Sequence, residues 1–289
     1  MRTIAFMNQK GGVGKTTTAV NVGAAIARRG KRVCMIDLDP QAHLTINYGL
    51  ELPEDAVTVY DVLVGDSSLA DAAKAQADNI SVVPANIDLA GAEVELVNVP
   101  GRDLVLREQI EALGDKFDYL LIDCPPSLGL LSINALAAAD SVIVPMQPHF
   151  LALQGMARLL DTIKLIQRRL NPKLGVLGVV LTMFDPQAKL SHEVVSEIER
   201  FFGSAVDQNL PWSNARVFAT RIRRNIKLAE SPSFGQPIFQ YDPSSNGATD
   251  YGKLADELLA VLEPAPVPAP TPPEPTPAEP SADPVATSA

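Results

Sequence analysis

A glycine-rich segment near the N-terminus constrains the fold of this chain more than any other feature. The apolar run of residues 2–7 before it predicts a buried strand, and the pattern of residues 18–27 after it predicts a helix that ends at Gly30. A glycine-rich turn from strand to helix presents backbone N–H groups and the positive helix end to an anion. The segment therefore predicts a phosphate-binding loop, formed by Lys10, Gly11, Gly12, Val13, Gly14, Lys15, Thr16 and Thr17.

The two lysines of this loop are expected to act differently. In a phosphate loop of this kind, Lys15 contacts the terminal phosphates of a nucleotide and the Thr16 hydroxyl holds Mg²⁺. The general pattern has a glycine where this chain has Gln9, and Lys10 is an additional cation at the loop entrance. We expect Lys10 to point away from its own loop and to serve a nucleotide held by another subunit. A turn with two solvated lysines is the alternative, which the flanking strand and helix disfavour.

Four segments of the chain resemble the ParA/MinD superfamily of deviant Walker A ATPases, whose signature is KGGVGKTT. They are residues 10–17 (KGGVGKTT), 37–41 (DLDPQ), 118–126 (DYLLIDCPP) and 225–233 (NIKLAESPS). The last segment is similar to the ParA (Soj-like) partition ATPases and less like MinD. The resemblance covers residues 1–262. Larger ParA proteins carry a helix-turn-helix domain before the loop, and none precedes it here, so we do not expect operator recognition.

Apolar runs alternate with helical patterns along the chain. Continuous apolar strands separated by amphipathic helices predict an α/β fold, a three-layer sandwich with a mainly parallel central sheet. In such sheets ligands bind outside the carboxyl ends of the strands. Polar segments follow four predicted strand ends, which places a site at one edge of the sheet. The further predicted strands are residues 33–36, 80–84, 119–122, 141–145 and 176–181, and the polar segments are 7–9, 37–40, 123–126 and 182–185.

Three aspartates at strand ends are candidates for metal and water chemistry. Asp123 ends a buried strand and suits a carboxylate that orders Mg²⁺ through water, with a strand-end cap as the alternative. We expect Asp37 nearer the metal and the phosphates, and the resemblance implies that Asp39 positions the attacking water. Acidic groups beside a polyanion are unfavourable unless a metal or a proton is present, which favours catalytic roles for this pair.

The resemblance implies ATP hydrolysis with Mg²⁺, slow and stimulated by a partner. The guanine-specific Asn-Lys-x-Asp motif is absent, which favours ATP, while the adenine contacts stay unassigned. Lys10 from a facing subunit would complete the cation set around the phosphates. Two ATP molecules would then lie sandwiched between two loops in a C2 homodimer. Gly11 and Gly12 would lie against the facing subunit, where a side chain should clash.

The charge distribution argues for a local nucleic-acid surface on an acidic protein. The net charge of −10 alone argues against nucleic acid. Residues 208–229, however, contain five basic side chains and no acidic one. The resemblance implies that Arg224 contacts DNA; Arg223 stands where the family commonly has Pro, and residues 208–218 look longer than in compact relatives. We expect nonspecific, salt-sensitive binding to double-stranded DNA, with a solvated loop as the alternative, through Arg221, Arg223, Arg224 and Lys227.

The chain changes character at its C-terminal end. Residues 263–289 contain Pro, Ala, Thr, Ser and a few acids, with no aromatic or basic side chain. They predict a disordered acidic tail after an ATPase domain of residues 1–262. MinD proteins instead end in a basic amphipathic helix, and no apolar run here approaches the ~20 residues of a membrane span. The chain has only two cysteines, Cys34 and Cys124, and we expect both to be reduced. Reduced thiols are typical of the cytoplasm, so we expect a cytoplasmic protein.

The resemblance implies a nucleotide-gated cycle. ATP drives dimerisation, the dimer binds nucleoid DNA nonspecifically, and hydrolysis stimulated by a ParB-like, cargo-linked activator releases it. The cargo would be a chromosome, a plasmid or a protein assembly. One alternative is a MinD-like spatial regulator that cycles on a membrane or a protein scaffold. Another is a metabolic or metal-handling relative, for which the sequence shows neither a substrate pocket nor ligand cysteines.

Overall fold

The central element of the computed structural model is an eight-stranded sheet, within described residues 1–77, 79–149, 152–206 and 208–263. Its strand order is β3-β4-β2-β5-β1-β6-β7-β8, and only the β3–β4 pairing is antiparallel. The predicted tail lies outside the described residues apart from Glu263. The strands are β1 Arg2–Phe6, β2 Val33–Asp37, β3 Lys74–Ala77, β4 Ile80–Val83, β5 Tyr119–Asp123, β6 Ser141–Met146, β7 Gly175–Leu181 and β8 Arg216–Val217.

Helices cover both faces of this sheet. Two 3₁₀ helices, Leu96–Asn98 and Ser231–Phe234, accompany the α-helices. The α-helices are α1 Lys15–Ala27, α2 His43–Asn47, α3 Val59–Val64, α4 Leu69–Ala72, α5 Leu89–Glu95, α6 Val105–Ala112, α7 Leu130–Ala138, α8 Ala152–Arg169, α9 Lys189–Gly203, α10 Ile226–Glu230, α11 Ile238–Tyr241 and α12 Asn246–Leu262.

Two hydrophobic clusters lie on opposite faces of the sheet. Along β5, Leu120 and Ile122 belong to one cluster, and Tyr119 and Leu121 belong to the other. Successive side chains of a strand point to opposite faces, so this strand is buried on both sides. Helices α1 and α12 pack on the face of Leu121, whereas α6, α7 and α9 pack on the other. The predicted three-layer α/β sandwich is therefore confirmed.

The six predicted strands are present, with ends that differ by one residue or less. The sequence missed β3 and β8, which lie at the two edges of the sheet. β3 has the polar sequence KAQA with alternating exposure, and β8 has only two residues. Neither offers the continuous apolar run on which the prediction relied. Helix α1 begins at Lys15, earlier than predicted, because Gly14 in the left-handed conformation forms its N-cap.

The segment of residues 208–218, which looked long in the sequence, packs against the start of β7. Trp212 is buried, and the Pro211 carbonyl accepts a hydrogen bond of 2.8 Å from Val176 N. This contact brings the segment into β8 beside β7. Cys34 and Cys124 are buried and free, and burial raises the pKa of the Cys34 thiol to about 12. A thiol with so high a pKa is unreactive at neutral pH.

Candidate nucleotide and metal site

The glycine-rich loop connects β1 to α1 at the carboxyl edge of the sheet. Gly12 and Gly14 have φ angles of 72° and 80°, a left-handed conformation that side chains other than glycine rarely adopt. The Asn8 side chain anchors the loop, since its Nδ2 donates to the Pro145 carbonyl at 2.8 Å and its Oδ1 accepts from Lys10 N at 3.0 Å. The loop is therefore held in place by protein contacts, ready to bind an anion.

Lys15 is a buried cation at the start of α1. Its exposed fraction is 7%, and burial lowers its pKa, while Asp123 and Asp39 act to raise that pKa. A buried cation at the positive end of a helix favours an anion beside it, and Asp123 and Asp39 supply part of that negative charge. The contact of Lys15 to the terminal phosphates stays a prediction.

Thr16 and Asp123 form a pair that fits a magnesium ion. The Thr16 hydroxyl donates to Asp123 Oδ2 at 2.6 Å. The other carboxylate oxygen, Oδ1, is buried and has no hydrogen-bond partner among the described residues. Burial, and then the charge of Asp37, raise the pKa of Asp123 well above its usual value. A hydroxyl beside a carboxylate oxygen without a partner suits Mg²⁺, which prefers oxygen ligands and completes its shell with phosphates and water.

Asp37 lies beside Asp123 and is bonded to α2. It pairs with Asp123 in the β2–β5 register and is fully buried. Its Oδ2 accepts from Thr45 N at 2.8 Å and from Thr45 Oγ1 at 2.7 Å, and its Oδ1 accepts from Asp39 N at 3.3 Å. Burial outweighs these bonds and raises its pKa to about 6. Protein donors thus bond to both carboxylate oxygens and anchor Asp37 between β2 and α2. A metal role for Asp37 stays a prediction.

Asp39 is buried within the site, whereas Lys10 lies outside it. Asp39 is 7% exposed, its Oδ1 accepts from Gln41 N at 3.0 Å, and it lies close enough to Lys15 to act on the lysine charge. Lys10 is exposed at the loop entrance. A Cβ added at Gly11 would meet nothing within 4 Å. The structure thus brings Lys15, Thr16 and the three aspartates together and leaves Lys10 facing outward.

A mainly apolar cavity of about 380 Å³ opens beside the loop. The sequence did not predict this cavity, although its walls include parts of three segments singled out above, the phosphate loop, the residues after β7 and the NIKLAESPS stretch. One wall residue, Met183, has a φ of 49°, unusual for a residue with a side chain and typical of functional sites. Other wall residues are Gly14, Thr17, Thr182, Ile222, Arg223, Arg224, Asn225, Ile226, Leu228, Ala229 and Tyr251.

The four predicted DNA-contacting residues do not form a cluster of free cations. Two of them pair with acidic side chains that are distant in the sequence, and a third pairs within α10. Arg221 approaches Glu199 at 3.9 Å, Arg223 binds Asp250 at 2.7 Å, and Lys227 binds Glu230 at 2.8 Å. Arg224 is exposed, and no acidic side chain of the described residues pairs with it. The acid-free stretch in the sequence is therefore largely neutralised in the fold.

A helix able to cross a bilayer would need length and continuous apolarity. None of the helices in the described part of the chain has both.

The glycine-rich loop, the buried lysine and the Thr16–Asp123 pair define a P-loop nucleoside triphosphatase of the deviant type. The profile of a family described as an AAA domain matches residues 1–176. The sporulation initiation inhibitor protein Soj of Bacillus subtilis is 46% identical over 260 residues, which cover 90% of this chain and 98% of that protein. The chromosome-partitioning ATPase Soj of Treponema pallidum is 43% identical, over 90% and 97% of the two chains.

A solved structure is also similar. The crystal structure of cobyrinic acid a,c-diamide synthase from Mycobacterium smegmatis, with bound ATP analog and magnesium, is 38% identical, with a TM-score of 0.76 over 91% of this chain and 96% of that one. The chain belongs to the Soj/ParA family of chromosome-partitioning ATPases. The predicted resemblance is confirmed, and this protein is an ATPase that uses ATP and Mg²⁺.

Proposed function

We propose that this ATPase is an ATP-gated dimerisation switch that binds DNA nonspecifically and segregates or positions a chromosome, a plasmid or a protein assembly. A partition function follows from the family. The observation that carries the switch is the outward position of Lys10 in the phosphate loop, beside a glycine with open space around it. A cation on the outside of a nucleotide site is best explained by a second nucleotide across an interface.

Within one subunit, the chemistry rests on positioning and charge. Lys15 contacts the β- and γ-phosphates of ATP, and the backbone N–H groups of residues 10–17 surround them. Mg²⁺, held by Thr16 and Asp123, neutralises charge on the phosphates when bound. Asp39 orients the attacking water, and Asp37 keeps Asp39 in place through the hydrogen bond to its backbone N–H. Phosphoryl transfer needs these groups in position more than it needs covalent chemistry.

The base of ATP occupies the apolar cavity beside the loop. The cavity starts at Gly14 and Thr17, so a nucleotide whose phosphates lie on the loop extends into it. Its volume of about 380 Å³ is within the usual range of roughly 300–1,000 Å³ for small-molecule sites. Mainly apolar walls with a few polar groups suit a planar base.

Dimerisation completes the cation set around each nucleotide. Lys10 of one subunit reaches the phosphates of ATP in its partner, and the two ATP molecules lie between the subunits of a C2 homodimer. Gly11 supports this arrangement. Nothing in its own subunit requires a glycine there, because its φ is not positive and a Cβ would meet no atom within 4 Å. A second subunit that approaches this position closely would explain why the residue has no side chain.

DNA binding uses a surface in which Arg224 is the leading contact. It is exposed and carries a charge that no described acid compensates. Lys227 and Arg221 can add to the potential, but their acidic partners reduce the contribution of each. A dimer doubles the surface, so binding to phosphates strengthens when ATP joins two subunits. The protein is then nucleoid-associated in the cytoplasm while ATP is bound.

A ParB-like, cargo-linked activator ends the cycle by stimulating hydrolysis. The net charge of −10 supports a basic segment on that partner, because opposite charges favour encounter. Loss of the γ-phosphate separates the subunits and releases them from DNA. Without the partner, turnover is slow and the DNA-bound state persists.

The test is binding to nonspecific duplex DNA with ATP, ADP or no nucleotide, at low and moderate salt. Wild type is compared with Asp39→Ala, which is expected to bind ATP and hydrolyse it slowly. ATP-dependent, salt-sensitive binding that lasts longer in Asp39→Ala supports the proposal. Absence of binding in every nucleotide state, with ATP-driven dimers shown by light scattering, would exclude DNA. A membrane or a protein scaffold would then be the surface on which the switch cycles.

A further inference from the structure

Arg223 is held in place by a buried acid on α12. Its Nη2 donates to Asp250 Oδ1 at 2.7 Å, its Nε donates to Oδ2 at 3.0 Å, and its backbone N donates to Oδ2 at 3.1 Å. The Asp250 side chain is 7% exposed and the Arg223 side chain is 41% exposed. Two parallel N–H···O bonds of this type fix the plane of a guanidinium as well as its position.

This pairing makes Arg223 a poor contact for DNA. Its charge is already compensated by a carboxylate, and removing a nearly buried Asp250 from its partner would be unfavourable. The Nε/Nη2 edge of the guanidinium, one of its two bidentate edges, binds Asp250. The Arg223 side chain nevertheless stays 41% exposed, and the flat face of a guanidinium stacks on aromatic rings.

Arg223 also lies in the wall of the cavity beside the phosphate loop. The same cavity is lined by Gly14 and Thr17, which belong to the loop and α1. Phe184 N donates to the Ile222 carbonyl at 2.9 Å, which joins the segment of Arg223 to the end of β7. A base that extends from the loop into the cavity therefore meets this segment.

Helix α12 sets the position of Arg223 relative to the nucleotide. Tyr251, the residue after Asp250, has its hydroxyl 3.1 Å from Thr18 Oγ1 on α1, the helix that begins at the phosphate loop. One end of α12 thus contacts both the loop helix and the arginine. The guanidinium is consequently preorganised with respect to the site of the phosphates, before any base is bound.

We propose that Arg223, positioned by Asp250, stacks its guanidinium plane on the base of the bound nucleotide. Arg223 is then a nucleotide-binding residue instead of a DNA-binding residue, and Asp250 is a positioning residue. The inference rests on the proposed placement of the base in the cavity. It is independent of whether the dimer binds DNA, so the two proposals fail in different experiments.

The experiment compares a ligand that has a base with one that lacks it. Isothermal titration calorimetry of the full chain with Mg²⁺ measures the affinities of ADP and of inorganic pyrophosphate. Neither ligand is a nucleoside triphosphate, so neither should drive dimerisation during the titration. Arg223→Ala should weaken ADP binding about tenfold, the effect of a partly desolvated cation–π contact, and change pyrophosphate binding less than about twofold. Arg216→Ala, the loss of an exposed arginine on β8 outside the cavity walls, is the matched control and should change neither.

Two further variants separate stacking from charge and from folding. Arg223→Lys keeps the charge and a partner for Asp250 but lacks the plane, so it should lose nearly as much ADP affinity as Arg223→Ala. Asp250→Asn should lose about threefold for ADP, because the guanidinium is held less firmly. Thermal unfolding shows whether each variant is folded, and Arg223→Lys provides the test if Arg223→Ala is not.

Three results would overturn the inference. Equal losses for ADP and pyrophosphate would mean that Arg223 shapes the loop or binds phosphate. Wild-type ADP affinity in Arg223→Lys would mean that charge suffices and that no plane is stacked. Unchanged ADP affinity in Arg223→Ala, with weaker binding to duplex DNA at saturating ATP, would return the residue to the DNA surface.

Discussion

The two halves of the phosphate loop differ although they are five residues apart. Lys15 at the inner end is buried among aspartates, and Thr16 beside it is bonded to Asp123. Lys10 at the outer end is exposed, and Gly11 next to it has open space. The inner half is bonded to residues of its own subunit, whereas the Lys10 side chain is exposed to solvent. The same residue type therefore serves one site from within and, we propose, another site from outside.

The largest expected effect concerns the outer lysine. Lys10→Ala should lower the kcat of ATP hydrolysis by about 10³-fold, the scale found when a cation supplied by a partner is removed from phosphoryl transfer. ATP affinity of the isolated subunit should stay within about threefold, because the side chain is exposed outside its own site. Steady-state hydrolysis with partner or DNA present, together with nucleotide titration, measures both quantities. Equal losses of affinity and rate would place Lys10 in its own site.

The inner lysine should show the opposite behaviour. Lys15→Gln should weaken binding of ATP by about 100-fold, since hydrogen bonds to charged groups contribute about 1.5–3 kcal/mol each. The variant also leaves Asp123 and Asp39 with less positive charge nearby. Calorimetric titration of ATP with Mg²⁺ measures the change. Retained ATP affinity would show that the loop backbone alone binds the phosphates.

Gly11 tests whether the outer half faces a second subunit. Gly11→Val should bind ATP normally but dimerise at least about 30-fold more weakly, because a steric clash costs about 2 kcal/mol at a packed interface. Gly155, which also has open space around it, is the comparison position, and Gly155→Val places the same side chain on α8. Light scattering with ATP measures dimerisation. A normal dimer in Gly11→Val would remove the facing-subunit arrangement.

The smallest effect concerns the basic surface. Arg224→Ala should weaken binding of the ATP-bound protein to duplex DNA by a few fold to about tenfold and reduce the slope of log affinity against log salt by about 1. Arg216→Ala should have less effect if Arg224 is the leading contact. Titration of labelled DNA at several salt concentrations measures the slopes. An unchanged slope in Arg224→Ala would mean that this surface does not meet phosphate.

The contrast within the loop was readable from the sequence because it depends on local geometry. Gly12 and Gly14, between an apolar strand and a helix, specify a phosphate-binding loop. In such a loop the lysine at the start of the helix lies inside the site, and we expected Lys10 at the entrance to lie outside it. The acids Asp39 and Asp123 were predictable for the same reason, since both follow or end a buried strand. The environment of Asp37 was not, because its partner Thr45 lies on α2, which shows no strong sequence pattern.

The arginine segment shows where sequence reasoning reaches its limit. Residues 208–229 have no acid of their own, which predicted a free basic patch. The fold supplies acids from α9 and α12, Glu199 and Asp250, so that two of the four predicted cations are paired across 22 and 27 residues of sequence. Composition within a window cannot report such pairs. Which arginines remain available is a property of the packing.

The sequence by itself determined the strand–loop–helix unit, the parallel sheet with its site at the carboxyl edge, and the family. These follow from apolar periodicity and turn chemistry, which act over a few residues. The tertiary structure alone decided the cavity beside the loop, the anchoring of Asp37 and the pairing of Arg223 with Asp250. Those features bring together residues far apart in the chain, and only the packing of helices on the sheet sets their distances.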